Sequence, residues 1–211
     1  MFTLIATYAV TALAAAGTPS HLSANVDNTW FPLKPGTVLR YRGGDNGTPT
    51  KDVFVVTNKT RRVPGGRARI VHDRVFKHGR VAEDTLDWYA QDRAGNVWYF
   101  GESTKELDAH GRVTSREGSW QAGRDGAQAG IFMPARPRVG RSFRQEYYKG
   151  HADDHFKIVA IKGDLMTTHE WTPIEPGVLD QKVYQRGVGT TSEDSLKGGR
   201  EHLHLVSVKR G

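Results

Sequence analysis

Residues 67–100 carry the sequence RARIVHDRVFKHGRVAEDTLDWYAQDRAGNVWYF, and this stretch decides the fold. Its runs of β-branched and aromatic residues are separated by two turn sequences, Lys77-His78-Gly79-Arg80 and Asp92-Arg93-Ala94-Gly95-Asn96. Glycine in such a turn supplies the positive φ that a tight hairpin loop requires. The stretch therefore predicts neighbouring antiparallel strands joined by hairpins.

The same pattern extends in both directions, from Val38 to Lys209. Residues 121–141 are the exception, because they lack strand periodicity, and we interpret them as a long excursion across the surface or one barrel mouth. A meander of this length tends to curl and close, since an open sheet leaves unpaired edges. We predict an all-β fold with one domain over residues 17–211, built as an antiparallel meander, curled sheet or barrel that is lipocalin-like in outline.

The first 16 residues, MFTLIATYAVTALAAA, carry no charged side chain and end in three alanines. An apolar run followed by small residues is typical of a cleaved signal peptide. A short apolar N-terminal helix packed on the domain is the alternative. The segment is too short and too rich in alanine to predict a membrane span. We therefore expect a periplasmic or secreted protein with no stable membrane span.

The composition excludes several classes of function. The chain has no cysteine, which rules out disulfides, thiolate metal sites and cysteine nucleophiles. Its formal net charge of +7 comes from Lys and Arg scattered among Asp and Glu, so we predict no nucleic-acid partner. Neither a G-x-S-x-G nucleophile motif nor a glycine-rich phosphate-binding motif occurs, and we expect no nucleotide cofactor.

One polar cluster, His151-Ala152-Asp153-Asp154-His155, stands just before a predicted strand. Two carboxylates and two imidazoles this close in sequence can converge on one cation if the segment forms a loop. Carboxylate oxygens favour a hard cation such as Ca²⁺, whereas imidazoles favour zinc. We expect a divalent cation, with Ca²⁺ as the first candidate, held by His151, Asp153, Asp154 and His155. A polar turn with exposed side chains is the alternative.

Carboxyl groups are frequent in the hairpin that follows residue 80. Strand alternation puts Asp87 on the same face as Tyr89 and opposite to Trp88. An inward carboxylate beside aromatic rings has its pKa raised by desolvation, as in a general acid or base. We therefore predict Asp87 and Glu102 as catalytic residues, where Asp87 needs an Arg, a bound cation or a second carboxyl as partner. Ion pairing with arginines on a solvated sheet face is the alternative.

Two motifs carry a resemblance to a known family. They are Phe31-Pro32-Leu33-Lys34-Pro35-Gly36-Thr37 and the run DWYAQDRAGNVWYFGE over residues 87–102. With these motifs the chain resembles a family of exported bacterial β-rich proteins, largely uncharacterised, and the likeness covers most of the chain beyond residue 16. The resemblance implies export and a β-rich fold, and it supplies no catalytic residues. The turn between Ile161 and Met166 is shorter than the family pattern.

Two functions fit these observations best. The first is an exported metal-assisted hydrolase of a small ester or lactone, in which the cation polarises the carbonyl and activates water. The alternative is a non-catalytic ligand-binding β-barrel of the cell envelope, with aromatic residues lining its cavity. A structural protein of the envelope is a third possibility. Each of the first two has a small molecule as partner, and none predicts an oligomeric state.

Overall fold

The computed structural model describes residues 19–211, and every regular element in this range is a β-strand. The predicted signal-like segment, residues 1–16, lies outside the described residues. Across the part of the chain that the structure describes, no helix is long and apolar enough to cross a membrane. The strands are β1 (Val38–Asp45), β2 (Thr48–Val63), β3 (Gly66–Lys77), β4 (Arg80–Gln91), β5 (Val97–Leu107), β6 (Val113–Ser115), β7 (Trp120–Gln121), β8 (Gln128–Met133), β9 (Ser142–Arg144), β10 (Glu146–Tyr147), β11 (His155–Lys162), β12 (Leu165–Trp171), β13 (Leu179–Gln185), β14 (Gly189–Lys197) and β15 (His202–Lys209).

The strands form one antiparallel sheet that closes into a barrel. Their order is β10-β8-β5-β4-β3-β2-β1-β15-β14-β13-β12-β11-β9, and the short strands β6 and β7 pair with β5 beside this path. The two ends of the order, β9 and β10, are consecutive parts of one segment with Gln145 between them. β9 pairs with β11 and β10 pairs with β8, so this segment joins the two edges. The structure confirms the predicted all-β meander and its closure.

Strand β8 corrects the prediction for residues 121–141, because Gln128–Met133 pairs with β5 and β10 instead of crossing the surface. This strand is difficult to recognise from the sequence, since alanine and glycine interrupt the alternation of apolar and polar residues. Only glycine fits at position 130, because a Cβ there would collide with the backbone of Arg144 and Gln145. The absence of a side chain lets the two edges of the sheet approach closely at the seam of the barrel.

The segment of residues 22–33, which we call the N-terminal cap, crosses one end of the barrel. It is tied to three hairpin turns, through Leu22 N–H to the Gly65 carbonyl at 3.0 Å, Asn28 Nδ2 to the Gly95 carbonyl at 2.9 Å, and Gly187 N–H to the Thr29 carbonyl at 2.6 Å. Trp30, Phe31 and Leu33 are at most 4% exposed and join the main hydrophobic core. The cap therefore closes the barrel at this end and gives its interior an apolar base.

Candidate functional site

A cavity of about 260 Å³ lies inside the barrel, and its lining is divided into two chemical regions. The aromatic floor consists of rings that touch one another, namely Phe31, Phe54, Tyr89, Tyr99 and Phe132. The carboxyl wall consists of acidic side chains from six separate places in the chain, namely Asp52, Asp73, Glu102, Glu146, Asp154 and Glu193. Lys182, Gln145 and Thr190 also line the cavity. Apolar and ionisable groups therefore line the same cavity.

The aromatic floor is a packed cluster that begins at the N-terminal cap. The ring of Phe31 lies 4.5 Å from that of Phe132 and 5.2 Å from that of Tyr89. Tyr89 in turn stacks on Tyr99 with ring centroids 4.9 Å apart. Such aromatic pairs contribute about 0.5–1.5 kcal/mol each beyond the area they bury. The floor is thus a preformed apolar surface.

The predicted catalytic residues Asp87 and Glu102 face each other across β4 and β5 and share one phenol. The Tyr99 hydroxyl lies 2.8 Å from Asp87 Oδ1 and 2.9 Å from Glu102 Oε2. A phenol has one hydrogen to donate, so both contacts are satisfied when one carboxyl is protonated and donates to the phenol oxygen. Burial is the main reason that the pKa of Asp87 is well above its usual range and that of Glu102 is about 7.

The expectation that Asp87 is buried is confirmed, since it is 6% exposed. Of the three partners considered, the structure shows the second carboxyl, Glu102, linked through Tyr99. Asp92 forms a turn, accepting hydrogen bonds from the backbone N–H groups of Ala94 and Asn96 at 2.9 Å. A catalytic role for Asp87 and Glu102 stays a prediction.

Lys182 neutralises part of the acidic interior. Its Nζ lies 3.2 Å from Glu170 Oε2 and 3.3 Å from Glu193 Oε1. Burial alone would lower the pKa of Lys182, but the nearby carboxylates of Glu170 and Glu193 outweigh it and raise that pKa. Burial also raises the pKa of Glu193 to about 7, against the lowering effect of Lys182. One ammonium group is thus shared between two carboxyls.

In two further places, one carboxyl of the wall lies close enough to a second carboxyl for the charge of the second to raise the pKa of the first. The buried Oδ1 atoms of Asp52 and Asp73 have no hydrogen-bond partner among the described residues. Burial and then the charge of Asp73 raise the pKa of Asp52 to about 11. Burial and then the charge of Asp154 raise the pKa of Glu146 well above its usual range. Burial and a nearby carboxylate therefore favour the neutral forms of Asp52 and Glu146.

The structure does not bring the four predicted metal ligands together. Asp153 Oδ1 lies 2.8 Å from His155 Nε2 and 3.0 Å from Arg144 Nε, whereas Asp154 lines the interior cavity. His151 is exposed and stacks on Tyr148. Within residues 19–211, no group of three or more His, Cys, Asp or Glu side chains is arranged to hold a metal ion. The divalent cation stays a prediction.

Sequence reasoning did not single out most of the carboxyl wall. Asp52, Asp73, Glu146, Lys182 and Glu193 come from five different strands, in three separate parts of the chain. The available signal was local alternation, which puts Asp52 with Phe54 on one face of β2 and Glu193 with Thr191 on one face of β14. That signal does not say which face becomes the lumen.

Comparison with known proteins adds little to these observations. No protein-family model matches the chain, and no curated protein matches it. The chain is similar to a candidate lipoprotein of known crystal structure from Parabacteroides distasonis ATCC 8503, with 10% sequence identity and a TM-score of 0.44. This likeness covers 86% of the present chain and 99% of the other chain. The family resemblance drawn from the two motifs stays a prediction.

Proposed function

We propose that the protein is a ligand-binding β-barrel that holds a small organic molecule in its lumen. The observation that carries this proposal is the cavity itself, whose wall contains buried polar atoms without partners. Gln145 is 6% exposed and Glu146 is 9% exposed, and both line the cavity. Gln145 Nε2 and Glu146 Oε2 make no hydrogen bond. A buried polar group without a partner costs about 1–3 kcal/mol, a cost that a bound molecule can remove.

The two regions of the cavity match the general design of a small-molecule site. Such sites combine apolar surface, which supplies most of the affinity, with a few polar groups that orient the ligand. Here the aromatic floor supplies the first and the carboxyl wall with Gln145 supplies the second. The cavity of about 260 Å³ suits a small organic molecule.

A neutral fluorescent probe, N-phenyl-1-naphthylamine, tests this proposal because its emission rises when it enters an apolar site. We expect the wild-type barrel to bind it and gain thermal stability by mass action. Thr190→Trp places an indole in the cavity wall and should abolish the emission change. Val206→Trp is the matched control because Val206 is 54% exposed. Equal emission from both variants would show that the probe binds elsewhere and would overturn the proposal.

The hydrolase prediction has no comparable support. Asp87 and Glu102 are both engaged with Tyr99, and the four predicted metal ligands do not converge. A screen of chromogenic esters and lactones with the purified protein, with and without a chelator, tests that prediction directly. Turnover that is lost in both Asp87→Asn and Glu102→Gln would favour it over ligand binding alone.

We further propose that the protein acts in the cell envelope or outside the cell. This proposal is supported by the uncharged residues 1–16 with their terminal alanines, which are typical of an export signal. Cell fractionation with N-terminal sequencing of the recovered protein tests it. Recovery of an uncleaved chain from the cytoplasm would contradict it.

A further inference from the structure

The cavity contains a large imbalance between acidic and basic side chains. Six carboxyl groups line it, and Lys182 is its single basic residue among residues 19–211. That ammonium group is already bound to Glu193 and to Glu170. The remaining five carboxyls have no Lys, Arg or His nitrogen within 4.0 Å among the described residues, and they are Asp52, Asp73, Glu102, Glu146 and Asp154.

The unpartnered polar atoms of the wall point to a ligand independently of this count. Glu146 Oε2 is an acceptor in the cavity wall with no donor, and its side chain is more than nine-tenths buried. The oxygen of a carboxyl group, whether neutral or ionised, can accept a hydrogen bond from an N–H or O–H group of a bound molecule. A charged N–H donor makes the stronger bond, about twice the strength of a neutral one.

The aromatic floor selects the same kind of molecule. Tyr99 joins the two regions, because its ring belongs to the floor and its hydroxyl contacts Glu102. Ring faces carry negative electrostatic potential and attract cations that approach within about 6 Å. An ammonium group near Glu102 therefore has both a carboxylate and aromatic faces around it, while the carbon skeleton attached to it covers the apolar rings.

We propose that the lumen binds an organic cation, a protonated amine with an apolar body, whose ammonium group contacts Glu102 and Glu146 and whose body lies on the aromatic floor. This inference rests on the proposed function and names its ligand class. A bare metal ion fits less well, because no group of three or more His, Cys, Asp or Glu side chains is arranged to hold one within residues 19–211. An anion finds no free basic side chain in the cavity, because Lys182 is bound to Glu170 and Glu193. A neutral molecule offers Glu146 Oε2 only the weaker, uncharged kind of hydrogen bond.

Binding of a cation must be coupled to the protonation of the wall. Glu102 has a pKa of about 7, so a nearby ammonium group converts it to the carboxylate and expels a proton. The titratable and charged groups that surround Glu102 come from four parts of the barrel: Glu83 and Asp87 on β4, Tyr99 on β5, Glu146 on β10 and Asp154 before β11. The carboxyls among them all have raised pKa values, and no basic side chain is present in this group to compete with a bound ammonium ion. Affinity for an amine should therefore rise with pH between 6 and 8.

Three naphthalene probes of nearly equal size separate charge from shape: 1-naphthylmethylamine, 1-naphthalenemethanol and 1-naphthoic acid. Calorimetric titration of the wild-type protein at pH 7.5 should give an affinity for the amine at least about tenfold above that for the alcohol, as expected for a charged hydrogen bond. The acid should bind weakest. An alcohol that binds as tightly as the amine would overturn the inference, as would an amine affinity that falls between pH 6 and 8.

Single substitutions in the carboxyl wall test which side chains contact the ammonium group of the bound amine. Glu146→Gln and, separately, Glu102→Gln should each lower amine affinity about tenfold and leave alcohol affinity unchanged. Glu175→Gln is the matched control, because Glu175 is exposed on the loop between β12 and β13. The wild-type comparison of amine with alcohol needs no variant, so it decides the question even if a variant fails to fold. If the neutral probes bind and the amine binds no more tightly, only the assignment of the ligand as an organic cation is contradicted. If N-phenyl-1-naphthylamine and all three naphthalenes fail to bind, the proposed ligand-binding function is contradicted.

Discussion

Acidic side chains on the outer face and the rim of the barrel have basic partners, whereas most of those on the inner face have none among the described residues. On the outside, Asp153 pairs with Arg144 and His155, and at the barrel rim Asp45 pairs with Lys77 at 2.7 Å. Inside, five of six cavity carboxyls have no basic partner among the described residues. The whole chain nevertheless carries a formal net charge of +7. Net charge therefore describes the outer surface and gives no indication of the chemistry of the lumen.

The difference follows from solvent access. Water screens the rim pair of Asp45 and Lys77, whose side chains are 28% and 38% exposed, so that ion pair is weak. In the barrel interior, desolvation raises the pKa of Glu146 and that of Asp87 well above the usual range. The same residue type is thus a solubilising group on one face and a titratable binding group on the other.

Loss of the interior ammonium group should have the largest effect on stability. Lys182→Met leaves Glu170 and Glu193 without a countercharge in a poorly solvated place, and we expect it to lower the free energy of unfolding by about 3 kcal/mol. Lys77→Met is the control, because Lys77 is 38% exposed and pairs with Asp45 at the rim. We expect it to cost about 0.5 kcal/mol. Urea unfolding at pH 7.5 measures both, and equal costs would contradict the contrast between the faces.

Removal of the phenol oxygen between the two central carboxyls should come next. Tyr99→Phe keeps the aromatic floor but deprives buried Asp87 of its hydrogen-bond partner, at a cost of about 2 kcal/mol. Tyr147→Phe is a matched control, since its ring lies under the Arg144 guanidinium and keeps that contact. Thermal unfolding of both variants at one pH gives the comparison. A Tyr99→Phe protein as stable as wild type would show that Asp87 needs no donor.

The pH dependence of stability should differ between a buried carboxyl of the inner face and an exposed carboxyl of the outer surface. The pKa of Glu102 rises on folding from 4.5 to about 7, so the folded state binds that proton more tightly than the unfolded state. Its contribution to stability is complete below pH 4.5 and is lost as pH rises through about 7. Glu102→Gln should therefore reduce the loss of stability between pH 5 and 8 by about 1–2 kcal/mol. Glu175→Gln should leave the profile unchanged, and an identical effect of the two variants would argue against burial as the cause.

The smallest effect is expected on the outer face at Asp153. Asp153→Asn removes the negative charge beside Arg144 and His155 but keeps an acceptor oxygen, so we expect a cost of only about 0.5 kcal/mol. The same variant tests the calcium prediction by thermal unfolding in millimolar Ca²⁺. A rise in melting temperature that is present in wild type and lost in Asp153→Asn would support a cation site at this position.

Several features follow from the sequence because they depend on near neighbours. The glycine turns at Gly79 and Gly95 adopt the positive φ that the hairpins require. Burial of Asp87 follows from alternation with Tyr89 along one strand. These signals have the period of the strand itself, so a few consecutive residues suffice to recognise them.

The lumen could not be predicted in this way, because only closure of the barrel decides which face of each strand is inside. Alternation groups Asp153 with His155 and separates both from Asp154, but it treats the two faces as equivalent. Gly130 and the bend at Gln145 close the sheet, and this closure puts Asp154 beside Glu146 in the same cavity as Glu193. These carboxyls lie far apart in the chain or on opposite sides of a turn, and their shared desolvation exists only once the barrel surrounds them. Residue types and strands were thus determined locally, whereas the acidic interior was decided by the tertiary structure, since proximity and burial are properties of the closed sheet.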